Sequence, residues 1–187
     1  MNFKTQKNEV DGRPSVPSPF EEIQARIMWF VQEKAGFAQV FTISKDGFPV
    51  GRTMGALLNS DWTVDLVQRR VHRRIGQLSR NPRMEIVWCG PPTPDSTNDR
   101  PHVYDFGLLV PRVVFLRGRA EFMDANWLLE RYNKQTAINR SFGRTKAPER
   151  TPENVVAELI GIRVRPTQIR AEGFGSGAES HTWKIDQ

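Results

Sequence analysis

Residues 69–83 read RRVHRRIGQLSRNPR, the most informative stretch of the sequence. It follows a predicted strand that ends at Gln68, and a short predicted helix runs from His72 to Arg80 within it. Pro82 lies just beyond the helix, which proline cannot continue. The stretch therefore predicts a strand, a basic helix start and a second strand in close succession.

The basic residues at the helix start indicate a place for an anion. A helix start presents unpaired backbone N–H groups and the positive end of the helix dipole, and His72, Arg73 and Arg74 add further donors there. The alternative is a solvated basic helix face, which is what charge alone would favour. On residue types alone, both readings stay open.

Segments rich in β-forming residues recur along the chain and are bounded by turn signals. They cover residues 39–43, 48–50, 62–68, 84–89, 113–123, 159–164 and 168–171, with Pro166 between the last two. Lys45-Asp46-Gly47 joins the first two into a hairpin. Because helices do not alternate regularly with these strands, the pattern favours an antiparallel, closed or nearly closed β-barrel over a parallel doubly wound sheet.

Capping signals predict three more helices. Ser18-Pro19 begins the first, which Gly36 ends, Asp124 begins the second and Thr151-Pro152 begins the third. Gly118 interrupts the strand 113–123, at a point where a barrel could bend.

A single domain is predicted over residues 18–187, because 187 residues with 38% hydrophobic content suffice for one sizeable core but not for two. Residues 1–17 lack periodicity and predict a loose, flexible arm. Residues 90–111 contain five prolines and predict a long loop, in which residues 101–106 are either a lid or ordinary surface. A polar tail is expected after the glycine-rich residues 173–177.

The composition limits the partners and the compartment. A formal charge of +6 suggests an anionic partner, for which a phosphorylated cofactor, nucleic acid and a membrane surface all qualify. The only cysteine, Cys89, excludes an intrachain disulfide, favours a reducing, cytoplasmic location, and is expected to be buried.

No apolar stretch is long enough for a bilayer, so no membrane association is expected. His72, His102 and His181 lack acidic partners at metal-ligand spacing, so they predict solvent-facing side chains and no metal site.

The order of these features resembles the pyridoxamine 5'-phosphate oxidase-like FMN-binding split-barrel superfamily, which includes flavin- and deazaflavin-dependent reductases. The resemblance runs from about residue 37 to 123, and its best pieces are the NPR of residues 81–83 and the RGRAEF of residues 117–122. It implies a mainly β fold with helices, an antiparallel six-stranded split β-barrel, and a homodimer with two flavin sites across its interface.

The resemblance also implies cofactor-binding residues, which are Arg52, Thr53, Met54, Val67, Gln68, His72, Arg73 and Arg74. In this alignment Arg73 and Arg74 match the phosphate-binding pair, and His72 stands where the family often has a hydroxyl residue. Residues 52–54 match the strand beside the isoalloxazine ring, and residues 67–68 match the strand end that touches ring and ribityl. Because the flavin itself performs the electron transfer, no catalytic residue is named.

The implied function is an FMN-binding oxidoreductase that passes reducing equivalents from a nicotinamide to an unknown small molecule. The arginine–histidine motif of true pyridoxamine phosphate oxidases is absent from residues 168–187, and Val113 replaces a frequent glutamine, so that particular activity is not expected. The alternative is a flavin, deazaflavin or heme binding or sensing protein without turnover. Nucleic-acid binding is disfavoured because the arginines concentrate at one helix start without interleaved stacking residues. Trp183 is a candidate to reach the flavin ring.

Overall fold

The structure, a computed structural model, describes residues 3–8, 20–91, 111–141, 143, 149–174 and 180–185. Within these ranges the chain forms nine strands and four helices. The strands are β1 (Phe3–Asn8), β2 (Ala38–Ile43), β3 (Pro49–Met54), β4 (Leu57–Leu58), β5 (Val64–Arg69), β6 (Arg83–Gly90), β7 (Arg112–Met123), β8 (Leu159–Glu172) and β9 (Ser180–Ile185). The helices are α1 (Phe20–Glu33), α2 (Arg73–Arg80), α3 (Ala125–Ser141) and α4 (Pro152–Glu158).

All of these strands belong to one curled antiparallel sheet. Its order is β1-β9-β8-β7-β6-β2-β3, while β5 pairs with β4 and β8. One edge of β8 pairs with β7, and the other edge pairs with β5 over residues 159–164 and with β9 over residues 168–172. The prediction of a mainly β, antiparallel fold with helices is confirmed, although the described part of the sheet has nine strands where six were expected.

The β2–β3 hairpin forms as predicted. Gly47 occupies a left-handed conformation with φ 89° and its N–H donates to the Ser44 carbonyl at 3.2 Å. A residue without a Cβ adopts this conformation at no steric cost. The turn sets the register that places Ile43 opposite Pro49 at the start of the hairpin.

The region around Pro166 corrects the prediction of two separate strands, because β8 runs through it without a break. Arg117 lies opposite Gln168, but its neighbour Gly118 lies opposite Pro166, so Thr167 is an extra residue in a β-bulge. Proline is tolerated at a bulge because the ladder is already interrupted there. Gly118 is required at this point, since a Cβ on it would lie 2.3 Å from the carbonyl oxygen of Arg165.

The two ends of the chain also differ from expectation. Phe3–Asn8 was expected to belong to a loose arm and Ser180–Ile185 to a polar tail, but they pair with each other as β1 and β9. β9 in turn pairs with β8, so backbone hydrogen bonds order it. His181 is buried at 5% exposure, which corrects its prediction as a solvent-facing side chain.

Helix α1 and the inner faces of the strands form the main core. Ile27 and Phe30 of α1 are fully buried, and the edge of Phe30 packs against Phe174 with centroids 5.3 Å apart. Gly36, with φ 68°, follows the end of α1 as predicted. Residues 9–19 and 92–110, which include the predicted capping box and most of the long loop with its possible lid, lie outside the described residues.

Helices α3 and α4 pack on the opposite face of the sheet. Leu128, Val155 and Leu159 form a small separate core there. Both predicted caps are confirmed: Asp124 accepts from the Trp127 N–H at 2.9 Å, and the Thr151 side chain accepts from Asn154 N at 3.3 Å. No helix in the described ranges is long and apolar enough to cross a membrane.

Candidate functional site

The side chains of Met54, Gln68 and Arg74 meet at one point from three different elements. The Arg74 Nη1 atom of α2 lies 3.0 Å from the Met54 sulfur of β3, and Gln68 Nε2 of β5 lies 3.4 Å from the same sulfur. A thioether sulfur is only a weak acceptor, so these contacts leave the donors of both polar groups largely unused. The start of α2 is thus held against the ends of β3 and β5.

Four basic residues gather at this point, and we call Arg52, Arg69, His72 and Arg74 the basic cluster. Burial lowers the pKa of Arg74 from its ordinary value, and the nearby Arg52 lowers it further. No ion pair within the described ranges neutralises Arg52, Arg69 or Arg74, whereas Arg117, Arg163 and other arginines of the sheet pair with carboxylates. The cluster therefore holds an uncompensated positive charge, with Arg52 and Arg69 exposed and His72 and Arg74 partly buried.

Two atoms of the basic cluster are buried polar atoms without a hydrogen bond. His72 Nδ1 and Arg74 Nε have no partner within the described residues, although neither residue is fully exposed. His72 is the N-cap residue of α2, yet its side chain makes no capping hydrogen bond. The first turn of any helix also lacks intrahelical acceptors for its N–H groups. Buried polar groups without partners are unfavourable, so an anion with several acceptor oxygens fits these residues.

Known proteins were compared with the chain by sequence and by structure. No protein-family model and no curated protein matches the sequence. A candidate 5-nitroimidazole antibiotic resistance protein from Bacteroides thetaiotaomicron superimposes with a TM-score of 0.56 at 17% identity, covering 100% of this chain and 93% of that one. A candidate pyridoxamine 5'-phosphate oxidase from Listeria innocua gives 0.54 at 16% identity, covering 82% of this chain and 98% of its own. The chain has the fold of the FMN-binding split-barrel superfamily.

A third split-barrel structure is a heme binding protein from Mycobacterium smegmatis. It superimposes with a TM-score of 0.56 at 16% identity, and the match covers 89% of this chain and 59% of that protein. The resemblance noted from the sequence is thereby confirmed at the level of the fold. At identities this low, similarity of fold does not carry ligand or activity from one split-barrel protein to another.

The curled sheet and α2 bring together five of the eight predicted cofactor residues, namely Arg52, Met54, Gln68, His72 and Arg74. Thr53 points to the opposite face of β3, where its Oγ1 accepts from Gln39 Nε2 at 2.7 Å, because successive strand residues face opposite sides. Val67 likewise packs under α3 and α4. Arg73 is exposed beside the cluster.

Arg69 belongs to the basic cluster but was not among the predicted residues, although it stands in the same basic run. Its position at the end of β5, three residues before His72, is the signal that could have identified it. Trp183, in contrast, is fully buried and packs edge to face on Trp62 with centroids 5.4 Å apart. Its ring is therefore not exposed for the contact with a flavin that the sequence had suggested.

A groove of about 1300 Å³, the outer groove, lies on the outer face of β2, β6 and β7. Its floor includes Phe41, Val87, Cys89 and Phe115. Cys89 is exposed there, which corrects its prediction as a buried residue. The reason is strand alternation, since β6 turns Met84, Ile86 and Trp88 inwards and leaves the intervening side chains outside.

Proposed function

We propose that this split-barrel protein binds the phosphate of FMN or of a related deazaflavin at the basic cluster and acts as a flavin-dependent oxidoreductase on a small organic molecule. The observation that carries the proposal is the convergence of Arg52, His72 and Arg74 without acidic partners in the described residues. Charged groups whose pKa is perturbed by burial and by like charges are concentrated at functional sites, which makes this cluster a candidate for one. Two of the structural neighbours, one named an F420 reductase and one a candidate pyridoxamine 5'-phosphate oxidase, support the cofactor class.

Each residue would have a distinct task. Arg74 and Arg52 would hold the phosphate by charge-assisted hydrogen bonds, with bidentate geometry available to each guanidinium. Met54 offers an apolar contact for the ring, and Gln68 offers amide donors for ribityl or ring oxygens. When bound, the flavin supplies hydride and electron transfer, so the protein's contribution is binding, orientation and exclusion of water.

The test is an absorbance spectrum of the purified protein before and after addition of FMN, followed by gel filtration. A flavin band that elutes with the protein is expected. Absence of the band after both treatments would contradict FMN binding, and the same experiment with a deazaflavin or with heme would then identify the cofactor class. Anaerobic reduction of the bound flavin by a nicotinamide separates an oxidoreductase from a binding or sensing protein, which would retain the oxidised spectrum.

A homodimer is part of the same proposal. The outer groove exposes an aromatic floor at Phe41 and Phe115, and such an apolar surface is typical of an interaction site. A two-fold symmetric partner would cover it with the same surface of a second copy. Light scattering after gel filtration should give the mass of a dimer, and Phe115→Asp should shift it to the monomer, whereas Phe122→Asp, at a side chain that does not line the groove, should not.

The six-stranded barrel also belongs to the proposal. If β3 and β4 count as one strand interrupted at residues 55–56, the pairings β2–β3, β4–β5, β5–β8, β8–β7, β7–β6 and β6–β2 describe a circuit of six. Closure of that circuit would explain why α2, between β5 and β6, reaches β2, where Thr42 donates to Gln77 at 2.7 Å. The cytoplasmic location expected from the single cysteine stays a prediction.

A further inference from the structure

His72 is the one residue of the basic cluster whose ordinary pKa, about 6.5, lies near neutrality. The charges that act on it are those of Arg74 in α2, Arg69 in β5 and Arg52 in β3. Its Nδ1 atom is buried without a hydrogen bond, and no acidic side chain of the described chain pairs with it. Within the described ranges no side chain is paired with this imidazole in a way that would stabilise a positive charge on it.

The free protein should therefore contain neutral His72 at pH 7. Burial lowers the pKa of His72 from its ordinary value of about 6.5, and the charges of Arg74, Arg69 and Arg52 lower it further. A helix start alone does not make this site. What distinguishes it is that arginines of two strands and the helix act on one imidazole, whose Nδ1 atom is buried without a partner among the described residues.

We propose that His72 is a proton-coupled ligand of the phosphate group, neutral in the free protein and protonated when a phosphate dianion binds among Arg52, Arg69 and Arg74. The inference rests on the proposed phosphate site and deepens it. The phosphate brings about two negative charges into the cluster, and these offset the arginine charges that disfavour imidazolium. Imidazolium carries an N–H on both ring nitrogens, whereas the neutral ring carries only one, so the protonated ring can donate to the phosphate whichever tautomer the free protein holds. The proton comes from solvent, and no bond other than N–H is formed.

The coupling has a definite sign. Because the bound state holds one more proton, phosphate affinity is greatest at low pH and falls as the pH rises through the pKa of His72 in the complex. For one proton the fall approaches tenfold per pH unit at its steepest. The phosphate ester acts in the opposite sense, because its own second pKa is about 6 and its dianion forms as the pH rises. At pH 7.5 that opposing effect is small, so proton uptake reports mainly on His72.

The experiment is isothermal titration calorimetry of FMN into the protein at pH 7.5 in two buffers that differ in ionisation enthalpy. The wild type is expected to take up a substantial fraction of one proton for each FMN bound. His72→Asn and His72→Gln are expected to bind with no uptake, and their affinity should no longer fall between pH 7 and 8. Asparagine is a favourable N-cap residue, so a merely structural role of His72 would leave the proton count unchanged in this variant.

The outcomes separate the two proposals. FMN binding without proton uptake by the wild type, or equal uptake by wild type and both variants, would overturn the role of His72 and leave the phosphate site standing. If the wild type binds no FMN at all, the proposed function fails and this inference fails with it. As a second measurement, sulfate, which remains a dianion throughout this range, should also bind more weakly as the pH rises in the wild type and not in either variant.

Discussion

Replacing Arg74 with alanine should weaken cofactor binding strongly and leave the free protein as stable as before. Arg74 is partly buried, its Nη1 is 3.0 Å from the Met54 sulfur, and its Nε has no hydrogen-bond partner in the described structure. A hydrogen bond to a charged group contributes roughly 1.5–3 kcal/mol, which corresponds to about a ten- to 150-fold loss of FMN affinity. Arg73 is exposed, so the same substitution there should lose about 1 kcal/mol at most, or roughly fivefold.

The assay is a flavin fluorescence titration of R74A, R73A and the control K184A at constant ionic strength. Lys184 is exposed on β9, where it pairs with Gln168 of β8. Ile160, the β8 residue that pairs with Gln68, lies eight residues away along the same strand, or about 26 Å at 3.3 Å per residue. K184A removes the same charge and should bind FMN as the wild type does. A loss in R73A equal to or larger than that in R74A would refute the reasoning, because it would place the phosphate outside the partly buried cluster.

Thermal unfolding without cofactor completes this prediction. The lowered pKa of Arg74 means that its charged form is disfavoured by burial and by Arg52. Its removal should therefore leave the melting temperature unchanged or higher, as is common when a binding residue is replaced. A clearly lower melting temperature in R74A would indicate that the arginine supports the fold and would make its binding defect ambiguous, in which case R74K, which keeps the charge, decides.

Three further predictions concern the fold that holds the site. Gly118→Ala would bring a Cβ to 2.3 Å from a backbone oxygen, so urea unfolding should show a loss of about 1–3 kcal/mol, and an unchanged midpoint would argue against the tight β7–β8 approach. Asp65→Asn removes the buried charge that pairs with Arg131 at 3.0 Å, so denaturation should show a loss of roughly 3–5 kcal/mol in the free energy of unfolding. Coinciding unfolding curves for the wild type and the variant would show that the pair contributes nothing. Trp183→Ala should lose roughly 3–5 kcal/mol because Trp183 is fully buried, while Trp29→Ala, at a side chain 51% exposed, should lose far less; equal losses would contradict the placement of β9 in the core.

Several strands of the sheet could be predicted from the sequence because they are runs of β-forming residues bounded by turn signals. In β6 the run from Met84 to Cys89 is rich in β-forming residues and predicts a strand, but because Val87 and Cys89 on the outer face are also apolar, it did not show that Cys89 is exposed. β9 gives no such signal. His181, Thr182 and Trp183 are buried in succession, and two of them are polar residues that composition assigns to the surface.

The candidate site was predictable in part. The basic run identified His72 and Arg74, and the family resemblance added Arg52, Met54 and Gln68. The same alternation rule could have separated Thr53 from its two neighbours on β3, since three consecutive strand residues cannot share a face. What the sequence could not supply is the approach of α2 to Met54, because that contact joins residues 20 positions apart through the packing of two strands and a helix.

Strand β8 has a consequence for how the chain is made. It pairs with β7 on one edge and with both β5 and β9 on the other. Val64 of β5 pairs with Val164 of β8, which is synthesised 100 residues later. On the ribosome, β5, β6 and β7 therefore emerge before the strand that joins them, and β5 and β7 present unpaired edges that invite association between nascent chains. Local pieces such as the β2–β3 hairpin can form during synthesis, but the basic cluster, which needs β5 fixed in place, can assemble only after residue 164 has left the exit tunnel. A pause or truncation before that point should yield a chain that chaperones retain and that cannot bind cofactor.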